Sequence, residues 1–257
     1  MSITVILNGY KRGNQLTEQL EALNNGTVKP DEILLWYNNP GDDSLINYKM
    51  VEEVPTALCN YNFGVWARFA FAFNAQSEYV CIFDDDTIPG KKWLENCVDT
   101  MKTNEGLLGT VGLLYLNPLP PNQSSYYEHY LRFGWPDNGN NDKTIQVDLV
   151  GHSWFFKKEW LSYMWREIPD SKYNTCGEDM HFSYMLQKYA NIPTYVPPHP
   201  INDKELGGSI KGAEYGGDQN SLWETNQLSR EGVPFKNLMN EYFHIQRTKG
   251  WKLINEK

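Results

Sequence analysis

The sequence predicts an α/β domain whose first half carries a parallel sheet. Three observations support this. Short apolar runs recur at Ile3–Leu7, Glu32–Tyr37 and Tyr79–Phe83, each closed by turn residues or acids. Runs of that length, rich in β-branched and aromatic residues, read as strands buried on both faces. Stretches with helical spacing lie between them, so strand, helix, strand, helix, strand implies right-handed crossovers. The chain has 257 residues, 40% of them hydrophobic, enough for one sizeable core.

Taken in order, Ile3–Leu7 runs into Asn8-Gly9, and Gln15–Leu23 then places Leu16, Leu20 and Leu23 on one helical face. Asn24-Asn25-Gly26 stops that helix. Glu32–Tyr37 closes on Asn38-Asn39-Pro40-Gly41, and a helix over Trp66–Ala75 leads to Tyr79–Phe83. That strand empties into Asp84-Asp85-Asp86. A helix from Lys91 to about Thr103 and a strand over Leu107–Leu116 follow. Residues 117–145, rich in Pro, Asn, Tyr and Gly, read as a long surface loop. Thr144–Val150 reads as one strand, ahead of Gly151-His152 and the apolar Trp154-Phe155-Phe156. Glu178–Tyr189 is a helix and Thr194–Val196 a short strand. Beyond residue 200 the glycines Gly207, Gly208, Gly212, Gly216 and Gly217 predict a mobile segment, with helices around Leu222–Arg230 and Phe235–Gln246 after it.

Composition narrows the function classes. The net charge is -9, with 23 Lys and Arg against 32 Asp and Glu, and no basic stripe is visible. Nucleic acid is therefore not an expected partner. No run approaches 18 uncharged apolar residues, and the first residues lack a basic leader, so neither a membrane span nor a signal peptide is expected. The cysteines Cys59, Cys81, Cys97 and Cys176 are scattered without a C-x-x-C pair. That spacing argues against zinc and a disulfide framework, and suits a cytoplasmic protein. An acidic chain that receives an anionic ligand needs local cations or a bound metal. Aromatic residues make up 14%, a surplus that suits sugar rings as well as a core.

The sharpest chemical feature is Asp84-Asp85-Asp86 at the carboxyl end of a buried strand, where ligands of open α/β sheets bind. Strand alternation would put Asp84 and Asp86 on one side and Asp85 on the other. A divalent cation would relieve the repulsion between the paired carboxylates and could bridge to a diphosphate. Glu178 and Asp179 open a predicted helix, where acids offset the helix dipole. Together with the Asp triplet, Asp179 reads as a catalytic carboxylate. Arg12 follows the first strand and Arg68 sits on the helix ahead of the triplet, both suited to a phosphate. His152 follows a strand end and His199 follows Val196-Pro197-Pro198, and either could be a metal or acceptor contact. His129 and His244 have no such context.

These residues in this order resemble the metal-dependent glycosyltransferases of the GT-A fold, and within them the exostosin-type branch. Ile6-Leu7-Asn8-Gly9-Tyr10-Lys11-Arg12 resembles that branch's first strand, and Leu35-Trp36-Tyr37-Asn38-Asn39-Pro40-Gly41 its Trp-Asn-Asn turn. Arg68, sixteen residues before Asp84, is similar to its donor-binding arginine, and Phe83-Asp84-Asp85-Asp86 to its DxD. Val147–Gly151 with Phe155-Phe156 resembles the acceptor-side strand, and Cys176-Gly177-Glu178-Asp179-Met180 the Cys-Glu-Asp motif, although Gly177 intervenes. The likeness spans roughly residues 3 to 190 and stops before the C-terminal basic donor contact.

The resemblance implies a Rossmann-like mixed sheet flanked by helices, a UDP-sugar donor, Mn2+ or Mg2+, and a carbohydrate or glycoconjugate acceptor. It implies residues 1–200 as the catalytic domain, with a nucleotide-binding half at 1–90 and an acceptor half at 91–200. Residues 201–257 belong to the same domain. Tyr10, Arg12, Asn38, Arg68, Asp84 and Asp85 are expected around the donor, with Lys211 as its C-terminal cation. Asp86, Asp84 and His199 are the expected metal ligands, Asp179 the catalytic group, and Trp135 and His152 acceptor contacts. Two other readings predict different behaviour. A nucleotidyltransferase would announce itself with a Gly-rich loop after the first strand, whereas Asn8-Gly9-Tyr10-Lys11-Arg12 is poor in glycine. A calcium-dependent sugar-binding module would bind glycan without nucleotide.

Overall fold

Strands β1 (Ile3–Gly9), β2 (Glu32–Tyr37) and β4 (Tyr79–Phe83) pair in parallel, with Ile6 in register between Leu34 and Ile82. Their side chains are buried on both faces, which is why these runs lack the polar alternation of a half-exposed sheet. The computed structural model describes residues 1–136, 139–229 and 231–256. Among them nine strands form one mixed sheet in the order β3-β2-β1-β4-β8-β5-β9-β7, with β6 alongside β5. β3 is Thr56–Leu58, β5 Leu107–Tyr115, β6 Tyr130–Phe133, β7 Ile145–Val147, β8 Leu149–Lys157 and β9 Thr194–Val196. The chain reverses direction at β8, which runs antiparallel to both β4 and β5. The carboxyl end of β4 thus lies where the parallel half meets the antiparallel half.

The helices are α1 (Gly13–Asn24), α2 (Tyr48–Glu53), α3 (Ala67–Phe71), α4 (Trp93–Thr103), α5 (Leu161–Met164), α6 (Glu178–Ala190), α7 (Gly212–Tyr215), α8 (Leu222–Thr225) and α9 (Phe235–Thr248). No helix of the described residues is long and apolar enough to cross a membrane. α1 packs on β1 through Leu16, Leu20 and Leu23, and α6 packs on β8. α9 and the C-terminal tail close the far side, where Phe243 meets Trp251 and Arg247 donates to Leu119 and Glu256.

Four expectations need correction. The strand read over Thr144–Val150 is two strands, split at Asp148. Its carboxylate accepts the Tyr115 and Ile254 N–H groups at 2.8 and 2.7 Å, so the chain passes from β9 to the β4/β5 pair there. The stretch read as a loop over 117–145 contains β6 and the buried Ser124 and Tyr126. The helix over Trp66–Ala75 is α3 followed by a tighter 3-10 turn at Ala72–Asn74. The helix around Leu222–Arg230 ends at Thr225, because Asn226 adopts a left-handed φ of 47°; Arg230 lies outside the described residues.

The glycine-rich stretch does not hang free at its start. Ile210 N–H bonds Ile88 O at 2.8 Å, Gly207 O accepts from Gly90, and Glu205 O accepts from Lys92. A Cβ on Gly208 would collide with the Thr110 side chain, which explains a residue without one.

Candidate active site

The turn after β4 is suspended from both neighbours. Asp84 N–H and Thr87 Oγ1 each donate to His152 O at 3.0 Å, and Gln19 of α1 donates to Asp84 O and Thr87 O at 2.6 and 2.8 Å. His152 sits in β8 with φ of 66°, close to the register shift opposite Gly109 and Val111. That left-handed backbone aims its carbonyl at the turn and leaves its ring beside the carboxylates. Ligand atoms of Asp84, Asp86 and His152 all lie within 4.8 Å of one another. His152 Nδ1 is 3.9 Å from Asp86 Oδ1, buried, and without a hydrogen-bond partner. An orphaned imidazole nitrogen facing two carboxylates fits a divalent cation.

Arg68, on α3, is buried and bridges Asp84 and Glu178, the latter at 2.8 Å. Its guanidinium lies 4.8 Å from the Trp154 ring centroid. Arg12, in the turn between β1 and α1, donates to Asp85 at 2.7 Å and lies 3.5 Å from Asp86. Its other edge grips Asp218 through two bonds of 3.0 and 2.6 Å. Burial alone would lower its pKa, and Asp218, Asp85 and Asp86 more than offset that, so Arg12 stays charged.

Carboxylates outnumber guanidiniums here, and their pKa values show it. Burial pushes Asp85 up to about 7 against the pull of Arg12. Burial also raises Asp84 against the pull of Arg68. Glu178 rises to about 8 for the same reason, again opposed by Arg68. Asp179 rises to about 6 through burial, with Met180 N–H pulling down and Asp84 pushing up. Such an excess of negative charge is what a bound cation would relieve. Glu178 and Asp179 are brought here by Gly177, whose φ of 89° turns the chain into α6 while the Tyr242 ring fills the space a Cβ would need.

The remaining expected residues separate. Tyr10 accepts from Asn62 Nδ2 at 3.1 Å. Asn38 is buried and shapes the loop after β3, bonding Asn62 Oδ1, Gly64 O and Phe63 N–H. Trp135 stands 5.2 Å from the His152 ring, with Gly212 and Gly216 approaching its indole. His199 is not with the aspartates. Nδ1–H donates to Pro197 O and Nε2 accepts from Gly208, so neither nitrogen is free for a metal, and burial lowers its pKa to about 4. His152 takes the place expected of His199. Lys211 is spent on Glu18 of α1, with Tyr215 Oη 3.3 Å away. Asp218 went unread in the sequence, since nothing marks a carboxylate 206 positions from Arg12 as its partner. Glu178 was legible only as a helix-start acid.

α7 and the turn to Asp218 roof the site: a Cβ on Gly216 would lie 3.8 Å from Asp86 Oδ2.

Comparison with curated proteins gave no match. Among solved structures, S. aureus TarS is similar with a TM-score of 0.51 and 16% identity, covering 77% of this chain and 37% of that one. S. aureus TarS 1-349 in complex with UDP-GlcNAc gives 0.48 and 17%, covering 77% and 56%. Glucosyl-3-phosphoglycerate synthase from Mycobacterium tuberculosis, in complex with Mn2+ and UDP, gives 0.46 and 10%, covering 72% and 65%. The chain thus spans less than two thirds of each of these, and at such identities the likeness is one of fold. Residues 4–165 match the profile of "Glycosyl transferase family 2", which takes in β1 through β8 and the Asp turn. With more than half of its length matched, this chain belongs to glycosyl transferase family 2.

Proposed function

We propose that the protein transfers a glycosyl group from a UDP-sugar to a hydroxyl of a saccharide acceptor, with a divalent cation at Asp84, Asp86 and His152. The observation that carries this is the donor set itself: an orphaned imidazole nitrogen and two carboxylates at the carboxyl end of β4, flanked by two arginines. The mixed nitrogen and oxygen set suits Mn2+ better than Mg2+ or Ca2+, which favour oxygen alone. A cation bound there would supply positive charge to the departing diphosphate.

The chain's own residues do the rest. Arg12 supplies a fixed fork to the diphosphate once Asp218 lets go of it. Arg68 holds Asp84 and Glu178 in place. Asp179, with its pKa raised to about 6, takes the proton from the acceptor hydroxyl as the glycosidic bond to the diphosphate breaks. The exostosin-type order of motifs supports a place for Asp179 at the reacting centre, as this base or as the group that stabilises positive charge at the anomeric carbon, and a hexose or N-acetylhexosamine as the group transferred. Tyr10 and Asn38 fix the loop at Asn62–Gly64 beside the nucleotide, and Trp135 borders the acceptor.

Calorimetry with UDP, run with Mn2+ and with chelator, tests the reading. Binding should require the metal and vanish in Asp86→Ala. Equal affinity in both conditions would remove the metal from the proposal. A screen of UDP-glucose, UDP-galactose, UDP-GlcNAc, UDP-GalNAc and GDP-mannose, read as nucleotide release, would name the donor. Pyrophosphate release from a nucleoside triphosphate would instead indicate nucleotidyl transfer.

A further inference from the structure

Two large aromatic side chains stand exposed against each other on the surface between residues 126–127 and α8. Tyr127 is 47% exposed and Trp223, on α8, 36% exposed; their ring centroids are 6.2 Å apart. Tyr126, buried beneath them, lies 5.6 Å from Tyr127 and 6.1 Å from Trp223. Lys236 sits 4.9 Å from the Trp223 ring centroid, and no carboxylate of the described residues lies within 4 Å of its ammonium. Exposed aromatics grouped in this way and rimmed by polar groups mark a binding surface more often than scattered ones do.

The group is joined to the reacting centre by α9. Asn240 Oδ1 accepts from Ser125 Oγ and Tyr126 N–H at 2.7 and 2.8 Å, and Tyr127 Oη donates to Lys236 O at 2.8 Å. Two residues along, Tyr242 fills the space beside Gly177, which sets the start of α6, and Phe243 packs on Tyr126. Burial raises the Tyr126 phenol well above its usual range, and the Asp179 charge adds to it. The aromatic group is therefore joined, through Tyr126, Phe243 and Tyr242, to Gly177 at the start of α6, two positions before Asp179.

Resting on the proposed transferase activity, we propose that Tyr127 and Trp223 form an outer acceptor subsite that stacks a pyranose ring of a saccharide chain, one or more rings beyond the reacting hydroxyl. The apolar C–H face of a pyranose packs on a single aromatic face, and the Lys236 ammonium, over the Trp223 ring and without a carboxylate partner among the described residues, offers hydrogen bonds to ring hydroxyls at its edge. Seated there, a chain end reaches Asp179, whereas a monosaccharide gains nothing from the platform.

Saturation-transfer NMR with the whole protein tests this. The probes are hexasaccharides of β-1,4-glucose, α-1,4-glucose and β-1,4-N-acetylglucosamine, each against its monosaccharide at equal ring concentration. We expect at least one hexasaccharide to bind at least tenfold more tightly than its monosaccharide. Trp223→Ala should remove that advantage, and Trp223→Phe should keep it within about threefold; a thermal melt checks that both variants fold. No hexasaccharide bound by the parent, or equal binding by Trp223→Ala, overturns the subsite. So does sedimentation showing a dimer that Trp223→Ala dissolves, since the surface then belongs to a second copy of the chain. UDP binding to the parent is measured in parallel. Its failure, with the hexasaccharide result intact, would sink the donor reading and leave the subsite standing.

Discussion

Arg68 and Arg12 reach the same aspartate turn from opposite sides, and their surroundings could hardly differ more. Arg68 is enclosed by α3, Trp154 and two carboxylates from the sheet and α6, at 5% side-chain exposure. Its partner Glu178 is buried, and Asp84, at the turn after β4, keeps 27% of its side chain exposed. Arg12 is also well covered, but one edge is held by Asp218, whose side chain is 34% exposed and belongs to the segment after α7. A buried ion pair among fixed elements cannot be broken without leaving a stranded charge. A bidentate pair to a surface segment can be exchanged for another anion. One arginine thus belongs to the architecture, and the other is a contact that a diphosphate can take over.

The largest effect that would sharpen this contrast is on folding. Arg68→Ala leaves buried Glu178 and half-buried Asp84 without their cation, and we expect a loss of about 3–5 kcal/mol in urea unfolding. Arg68→Lys should not restore it, because a single ammonium lacks the fork that spans two carboxylates. Asp179→Asn comes next. Turnover should fall about a hundredfold while UDP affinity stays within about threefold of the parent, with no loss of thermal stability. Its raised pKa gives a second reading of the same group. The base works only when deprotonated, so kcat/KM should fall as pH drops through about 6. That acid limb should be missing in Asp179→Asn.

Arg12→Ala should weaken UDP binding at least tenfold and, because it strands buried Asp85 but releases the more exposed Asp218, should cost less in urea unfolding than Arg68→Ala does. If it unfolds the protein as Arg68→Ala does, the distinction between the two arginines fails. The smallest effect belongs to Asp218→Asn. Burial works upward on this carboxyl, yet the bonds from Arg12 and Asn220 hold its pKa below the usual value. Removing its charge frees Arg12, and calorimetry should show UDP binding about threefold tighter. Hydrogen exchange would refine the boundary. The amides of Gly208 and Ile210, bonded to His199 and Ile88, should be protected without ligand, and UDP with Mn2+ should slow exchange mainly over residues 212–218.

The parallel half was legible because burial on both faces leaves continuous, mainly apolar runs in β1, β2 and β4. β3 and β6 were not, since Thr56–Leu58 is three residues long and Tyr130–Phe133 has an exposed centre, too little for a period to show. The break at Asp148 escaped notice because its reason lies in Tyr115 and Ile254, whose N–H groups only the fold brings to it. In the site, Asp84, Asp86 and the two arginines could be read from where they sit on predicted strands and helices. His199 misled because a proline-flanked histidine looks like a ligand until both nitrogens are found bonded to the backbone, at Pro197 O and Gly208 N–H. The place of His152 depends on a positive φ and a shift of strand register, and neither leaves a mark on residue identity.

His152 has a consequence for how such a site drifts over generations. One residue hangs the aspartate turn from its carbonyl and offers its ring nitrogen to the carboxylates, in a backbone conformation that Asn and Gly tolerate and branched residues resist. Replacement by Asn or Gly preserves the hanging turn and discards the ligand, whereas Val or Ile puts both at risk. A lineage that ceases to use a metal therefore has an inexpensive exit through Asn or Gly at this one position. Retention of histidine in spite of that open exit would be a record of continued metal use, readable from the residue at 152 alone.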